Sequence, residues 1–226
     1  LDLGCGTGRN GKILKDKFNK IKLINYDFSI NMLKEARKKQ NHHANSCLEV
    51  DDLSFVCGDI EELTFPENTF DIIWSTSSFQ WCNNISDTFK EIKKILKPGG
   101  FFIFSTFGPN TLFELKSITK EISKYQKTND FVSIQCIKNI LDTEGFSNPI
   151  INSEEFCISY KDVTKLFLDL KKIGASSGFE SKNHGLSGKL FLKLISDGYK
   201  KYSYDGIFPA TYEVLYGYAW KNSVKC

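Results

Sequence analysis

The chain has 226 residues, 41% of them hydrophobic and 25% charged, and a formal net charge of +3. This is the make-up of a globular protein with apolar material for a true core, and no apolar run approaches the ~18 residues that a membrane span requires. So small a positive excess argues against a nucleic-acid partner, and with Arg9 and Arg37 as the only arginines bidentate forks for phosphates or base edges are almost missing.

In chain order, Leu1–Leu3 reads as the end of a buried strand, and a glycine-rich turn leads into a short helix over Gly11–Asn19. Ile21–Asp27 is a strand, and "SINMLKEARKKQ" is a helix capped by Ser29. Leu53–Asp59 and Phe70–Ser78 are the third and fourth strands. A helix over Ile85–Leu96 is broken by "KPGG", and Phe101–Gly108 is the fifth strand. Strands separated by helices imply an α/β protein with a doubly wound, mostly parallel sheet. The last third changes rhythm: helices over Thr111–Tyr125 and Ile134–Glu144, then a strand over Glu154–Tyr160. Two lysine-rich helices, Val163–Ile173 and Lys189–Lys201, flank a polar loop, and Thr211–Trp220 is a seventh strand rich in aromatic and β-branched residues. The expectation is one domain over 1–226, with a helical insertion at 161–208 before the last strand.

Gly4, Gly6 and Gly8 alternate on the turn between the first strand and helix. Glycine tolerates positive φ and lets a ligand approach the backbone, and the helix start offers unpaired N–H groups. Gly6, Gly8 and Gly11 also satisfy GxGxxG, with Asp27 at about the distance of a ribose-binding acid, so a dinucleotide stays open as a reading. Two acids argue against it. Asp2, in the strand before the glycines, would repel a pyrophosphate but suit an ammonium group. Asp59, in "GDIEEL", is placed to accept from an adenine amino group. Acids ending the first three strands describe a ligand with a cationic end, a ribose and an adenine, which is the shape of S-adenosylmethionine. The expected cofactor-binding residues are Asp2, Gly4, Gly6, Gly8, Asp27, Phe28, Asp59, Ile60, Ser75 and Thr76. Asp27 and Asp59 could instead cap the elements that follow them, and Asp71 reads as a brace for the fourth strand.

The seven cysteines are odd in number with no CxxC pair, and the three histidines, His42, His43 and His184, have no ligand spacing. This pattern suits reduced thiols in a cytoplasmic protein, and no metal is expected.

Taken in order, "LDLGCGTG", "YDFS", "GDIEEL", "FDIIWS" and "LKPGG" resemble the motifs of class I S-adenosylmethionine-dependent methyltransferases, whose fold is Rossmann-like. Members of that family carry a helical segment before the first motif, so the resemblance implies a chain lacking it. "SSFQWCNNISDTFKEIKKILKPGGFFIFSTFGPNTLFEL", "GLSGK" and "FPATYEVLYGYAW" are similar to the malonyl-acyl-carrier-protein O-methyltransferases of biotin synthesis. A methyltransferase-like assembly factor of mitochondrial complex I shares the "GAS" and "PATY" segments and is the alternative, beside a methyltransferase for another small metabolite.

The resemblance implies methyl transfer to the free carboxylate of a malonyl thioester, on acyl carrier protein or coenzyme A. A carboxylate is ionised at neutral pH, so no general base is expected. Catalysis would come from alignment and from removing water around the nucleophile. The substrate-side candidates are Gln80, Trp81 and Tyr212, although Tyr212, Tyr216 and Trp220 also read as core and strand-pairing residues. In the family an arginine often precedes a Phe between strands five and six; here "KTNDFVS" puts Asp130 there, leaving Lys127, Tyr212 or His184 as groups to hold the carboxylate. Residues 161–201 carry nine lysines against four acids, which suits docking of an acidic carrier protein and equally an ordinary solvated face. A monomer is expected, with neither nucleic acid nor membrane as partner.

Overall fold

The computed structural model describes residues 1–18, 20–41, 53–122, 131–172 and 188–223. Lys127, Asp130 and His184 lie outside them, as does the polar loop at 173–187. Seven strands are formed: β1 Asp2–Leu3, β2 Leu23–Asp27, β3 Leu53–Cys57, β4 Phe70–Thr76, β5 Leu96–Phe107, β6 Phe146–Tyr160 and β7 Phe208–Lys221. The helices are α1 Arg9–Lys17, α2 Ile30–Asn41, α3 Ile85–Ile95, α4 Phe113–Ile122, α5 Ile134–Thr143, α6 Val163–Lys172 and α7 Gly188–Tyr199. The sheet order is β3-β2-β1-β4-β5-β7-β6. The β1/β2, β2/β3, β1/β4 and β4/β5 pairs are parallel. This is the seven-stranded, Rossmann-like sheet of the class I methyltransferase fold, flanked by helices and of mixed direction once β7 and β6 are included.

Several element limits differ from the sequence expectation. Helix α1 starts at Arg9 because Gly8 caps it in the left-handed region, at φ 74° and ψ 27°, which costs glycine little. "KPGG" lies within β5 instead of before it. The register jumps from Phe70 opposite Leu96 to Ile72 opposite Phe101, so the extra residues form an irregularity in the strand. Lys97 holds Asp71 there at 2.8 Å to both carboxylate oxygens, which makes Asp71 the expected brace of β4. Strand β6 starts at Phe146 and contains Pro149, tolerable because β6 is an edge strand.

The chain forms two compact units. The first comprises Leu1–Thr106, Ile134–Asn152 and Leu215–Cys226, and the second Phe107–Ser133 and Ser153–Val214. In the first unit Phe79, Phe89, Phe102 and Phe104 are buried and meet edge to face, tilted or stacked, with centroids 4.9–5.9 Å apart. Burial of Phe79 stabilises by about 1.5–3 kcal/mol and anchors the short turn Phe79–Trp81 after β4.

The second unit packs α4, α6 and α7 around Leu115, Ile118, Leu166, Leu170, Ile195 and Tyr199. Two buried acids are internally satisfied there. Glu114 accepts from the Thr211 hydroxyl at 2.6 Å and its N–H at 3.2 Å, and Glu213 accepts from the Asn110 N–H at 2.8 Å. Among the described residues no helix is long and apolar enough to cross a membrane, and no cluster of His, Cys, Asp and Glu is arranged for a metal.

Candidate active site

Strand order reverses between β1 and β4, and the crevice at the carboxyl ends of such strands is where doubly wound sheets bind ligands. Asp2 is fully buried there. Its Oδ1 accepts from Asn10 Nδ2 at 3.4 Å, while Oδ2 has no partner among the described residues. Burial pushes its carboxyl up to about 6, against the Asn10 hydrogen bond, which favours the charged form. An open buried carboxylate oxygen is an acceptor waiting for a cationic donor.

The glycine turn follows directly, with Gly4, Gly6 and Gly8 at φ 71°, 53° and 74°. Gly4 is pressed against the turn after β4: a Cβ there would stand 2.1 Å from Ser78 Oγ. Gly6 faces the opposite situation, with nothing within 4 Å of a Cβ. Its N–H donates to Asp27 Oδ2 at 2.8 Å, so the turn is fixed from below while the space above Gly6 is open to a ligand.

Asp27 ends β2 and also accepts from the Ser29 N–H at 2.8 Å, through Oδ1. Each oxygen keeps a lone pair for a further donor. Ser29, as expected, caps α2, accepting from the Met32 N–H at 3.4 Å. Phe28 is 77% exposed, an apolar ring beside the acid. Asp59 Oδ1 accepts from the Glu61 N–H at 2.9 Å, and its main-chain oxygen accepts from the Tyr26 hydroxyl at 2.9 Å. Ile60, next in the chain, is half-buried. Both acids therefore brace local turns and still carry free acceptor capacity.

At the end of β4, Ser75 is buried with its Oγ unpartnered, and Thr76 Oγ1 accepts from Asn10 Nδ2 at 2.7 Å. The two alternate to opposite faces. Beyond them, the buried Phe79 leaves its neighbours outward. Gln80 donates from Nε2 to the Ser77 carbonyl at 2.5 Å and accepts from the Thr106 hydroxyl at 3.3 Å. Ser77 adopts φ 50°, an uncommon conformation for a non-glycine residue. Trp81 is 50% exposed and not a core residue. Tyr212 lies in the second unit, where it shares a hydrogen bond with Tyr160 that adds to the effect of burial in raising its phenol. Its ring packs on Phe107 at 5.9 Å. Trp220 is half-buried and packs on Phe101 at 4.9 Å, whereas Tyr216 is 41% exposed.

Three residues of the site were not singled out in the sequence. Asn10 bridges Asp2 and Thr76, Ser78 seats Gly4, and Glu61 holds the loop after β4 through the Asn83 and Asn84 N–H groups.

These residues suit S-adenosylmethionine: the open Asp2 oxygen for the ammonium group, Asp27 for the ribose, Asp59 and Ile60 for the adenine, and the space above Gly6 for close approach. A protein-family model described as a methyltransferase domain matches residues 1–104. The malonyl-acyl-carrier protein O-methyltransferase of Methylovorus sp. strain MP688 is 37% identical over 225 residues, covering 100% of this chain and 76% of the relative. That of Gallionella capsiferriformans strain ES-2 is 36% identical over 224 residues, 98% of this chain and 76% of the relative. Among solved structures, the phosphoethanolamine N-methyltransferase 2 of Haemonchus contortus in complex with S-adenosyl-L-methionine superposes with a TM-score of 0.61 at 20% identity, over 99% of this chain and 48% of that one. The last similarity speaks for the fold alone.

The chain belongs to the class I S-adenosylmethionine-dependent methyltransferases. Within them it is homologous to the malonyl-acyl-carrier protein O-methyltransferases, and its general activity is methyl transfer from S-adenosylmethionine.

Proposed function

We propose that this enzyme methylates the free carboxylate of a malonyl thioester held on acyl carrier protein, with malonyl-coenzyme A as a smaller equivalent, at an early step of biotin synthesis. The observation that carries the reading is the 37% identity to such an enzyme along the full length of this chain. S-adenosylmethionine supplies an electrophilic methyl group on a sulfonium. The acceptor carboxylate is ionised at neutral pH, so the protein's task is to bind, align and exclude water. Gln80 and Trp81 lie on the turn after β4, beside the strand end that carries Thr76, and are the residues to orient the acceptor.

The helices of 161–208 are read as an insertion of the same catalytic domain that receives the carrier. Lys161, Lys165 and Lys193 are exposed there, a charge pattern that attracts an acidic protein. The enzyme is taken to act as a monomer. The test is mass spectrometry of malonyl-acyl carrier protein incubated with the protein and S-adenosylmethionine: a gain of one methyl group on the malonyl moiety supports the reading. Methylation of other carboxylic acids with none on the malonyl carrier would overturn it.

A further inference from the structure

Asn10, in the first turn of α1, spans two neighbouring strand ends. Its Nδ2 donates to Thr76 Oγ1 at 2.7 Å and to Asp2 Oδ1 at 3.4 Å. Asp2 is in register with Trp74, and Trp74 and Thr76 share a face of β4. The amide therefore closes a bridge over the point where the strand order reverses. It satisfies one oxygen of a fully buried carboxylate and leaves the other, Oδ2, without a partner. Buried acceptors are rarely left so, and among the described residues no group takes this one.

We propose that Asn10 is a positioning residue for the amino-acid end of S-adenosylmethionine: it fixes the Asp2 carboxylate through Oδ1 so that Oδ2 accepts from the cofactor's ammonium group. The inference rests on the cofactor reading and holds whichever acceptor is methylated. Burial raises the Asp2 carboxyl to about 6, while the Asn10 hydrogen bond lowers it and Asp27 raises it. The other titratable group at the turn is the Cys5 thiol, pushed up by its own burial and neutral in this range. A proton on Asp2 removes the attraction for an ammonium group, so affinity is full above the carboxyl's pKa and falls as pH drops through it. Without Asn10 a lowering influence is lost, and the falling limb moves to higher pH.

Calorimetry on the full chain, with S-adenosylmethionine and with 5′-methylthioadenosine, which lacks the amino-acid end, tests this. Asn10→Leu is expected to weaken S-adenosylmethionine about tenfold, to leave 5′-methylthioadenosine unchanged, and to shift the acid limb upward. Thr76→Val, which removes the shorter of the two bonds holding Asn10, should show the same selectivity to a smaller degree and serves if Asn10→Leu does not fold. Equal loss on both ligands, or no loss on either, overturns the proposal, as does an unmoved acid limb. Wild-type protein that binds neither ligand would overturn the cofactor reading itself, and the proposal with it.

Discussion

Glu61 and Asn83 join two loops at the rim of the site. Glu61 Oε1 accepts from the N–H groups of Asn83 and Asn84, and Oε2 from Asn83 Nδ2, all at 2.8 Å. Asn84 in turn caps α3, accepting from the Ser86 and Asp87 N–H groups. One carboxylate thus ties the loop of Asp59 and Ile60 to the start of the helix behind Trp81. These hydrogen bonds, that of Asn84 foremost, hold the Glu61 carboxyl below its ordinary value. A group depressed in this way contributes above its unfolded pKa and loses its contribution as pH falls through the folded one. Amide exchange should therefore show Asn83 and Asn84 protected down through the ordinary glutamate range and released only below it. Glu61→Gln should lower that protection several-fold at neutral pH and abolish its dependence on acid.

The two glycines of the turn should respond differently to a methyl group. Gly4→Ala meets Ser78 Oγ at 2.1 Å and should destabilise by roughly 2 kcal/mol or more, since strain at positive φ adds ~1–2 kcal/mol to the clash. Gly6→Ala carries the strain without a clash and should cost about 1 kcal/mol of stability. Its methyl group would enter the open space above the turn, so cofactor affinity should fall more than stability does. Denaturant unfolding and calorimetry on both variants check this; parallel losses in the two would count against a ligand above Gly6.

Asp27 serves the ligand and the turn together. Removing a charged acceptor should weaken cofactor binding by about 1–3 kcal/mol in Asp27→Ala. Asp27→Asn keeps an acceptor for one of the Gly6 and Ser29 N–H groups and should lie between. Unchanged affinity in Asp27→Ala, measured by calorimetry, would confine Asp27 to bracing.

How far the sequence was legible depends on the range of the interaction. The first four strands and the glycine turn could be read because short apolar runs alternate with glycine, proline and acids, a local pattern. Trp81 could be placed beside the site but its burial could not be judged, because exposure follows from Phe79 being drawn into the aromatic core. "KPGG" looked like a break because proline and glycine usually punctuate elements; here the sheet absorbs them as an irregular stretch against Phe70–Ile72. Asn10 and Glu61 could not be assigned, since their partners lie 66 and 22 residues away and no periodicity encodes a bridge of that kind.

Trp81 is half exposed beside the methyl-transfer turn and has little to hold together. Trp81→Ala should leave the thermal midpoint within about 2 °C and cofactor affinity unchanged, consistent with a surface change below ~0.5 kcal/mol. The catalytic efficiency toward the malonyl thioester should drop at least tenfold. Retained efficiency in steady-state assays would remove Trp81 from acceptor handling.

Docking of the carrier should be electrostatic. Lys165→Glu with Lys193→Glu should raise KM for malonyl-acyl carrier protein and spare that for malonyl-coenzyme A, and added salt should mimic the pair, because surface charges are screened beyond a Debye length of about 8–10 Å. Equal effects on both substrates would mean these lysines support the fold, and no effect would make them a solvated face.

The position of β7 bears on how the protein is made. It is the last strand in the chain, yet it lies between β5 and β6, and its final residue, Lys221, donates to the carbonyls of Lys94 and Leu96 and to Asn68 Oδ1 at 2.8–3.2 Å. During synthesis β5 and β6 emerge first, without the strand that separates them. Until Lys221 has left the ribosome, both present open edges, the condition that favours aggregation and chaperone capture. Completion of the sheet is thus a late event, and translation arrested before Phe208 would yield a chain bearing the whole glycine turn but lacking the strand that joins β6 to β5.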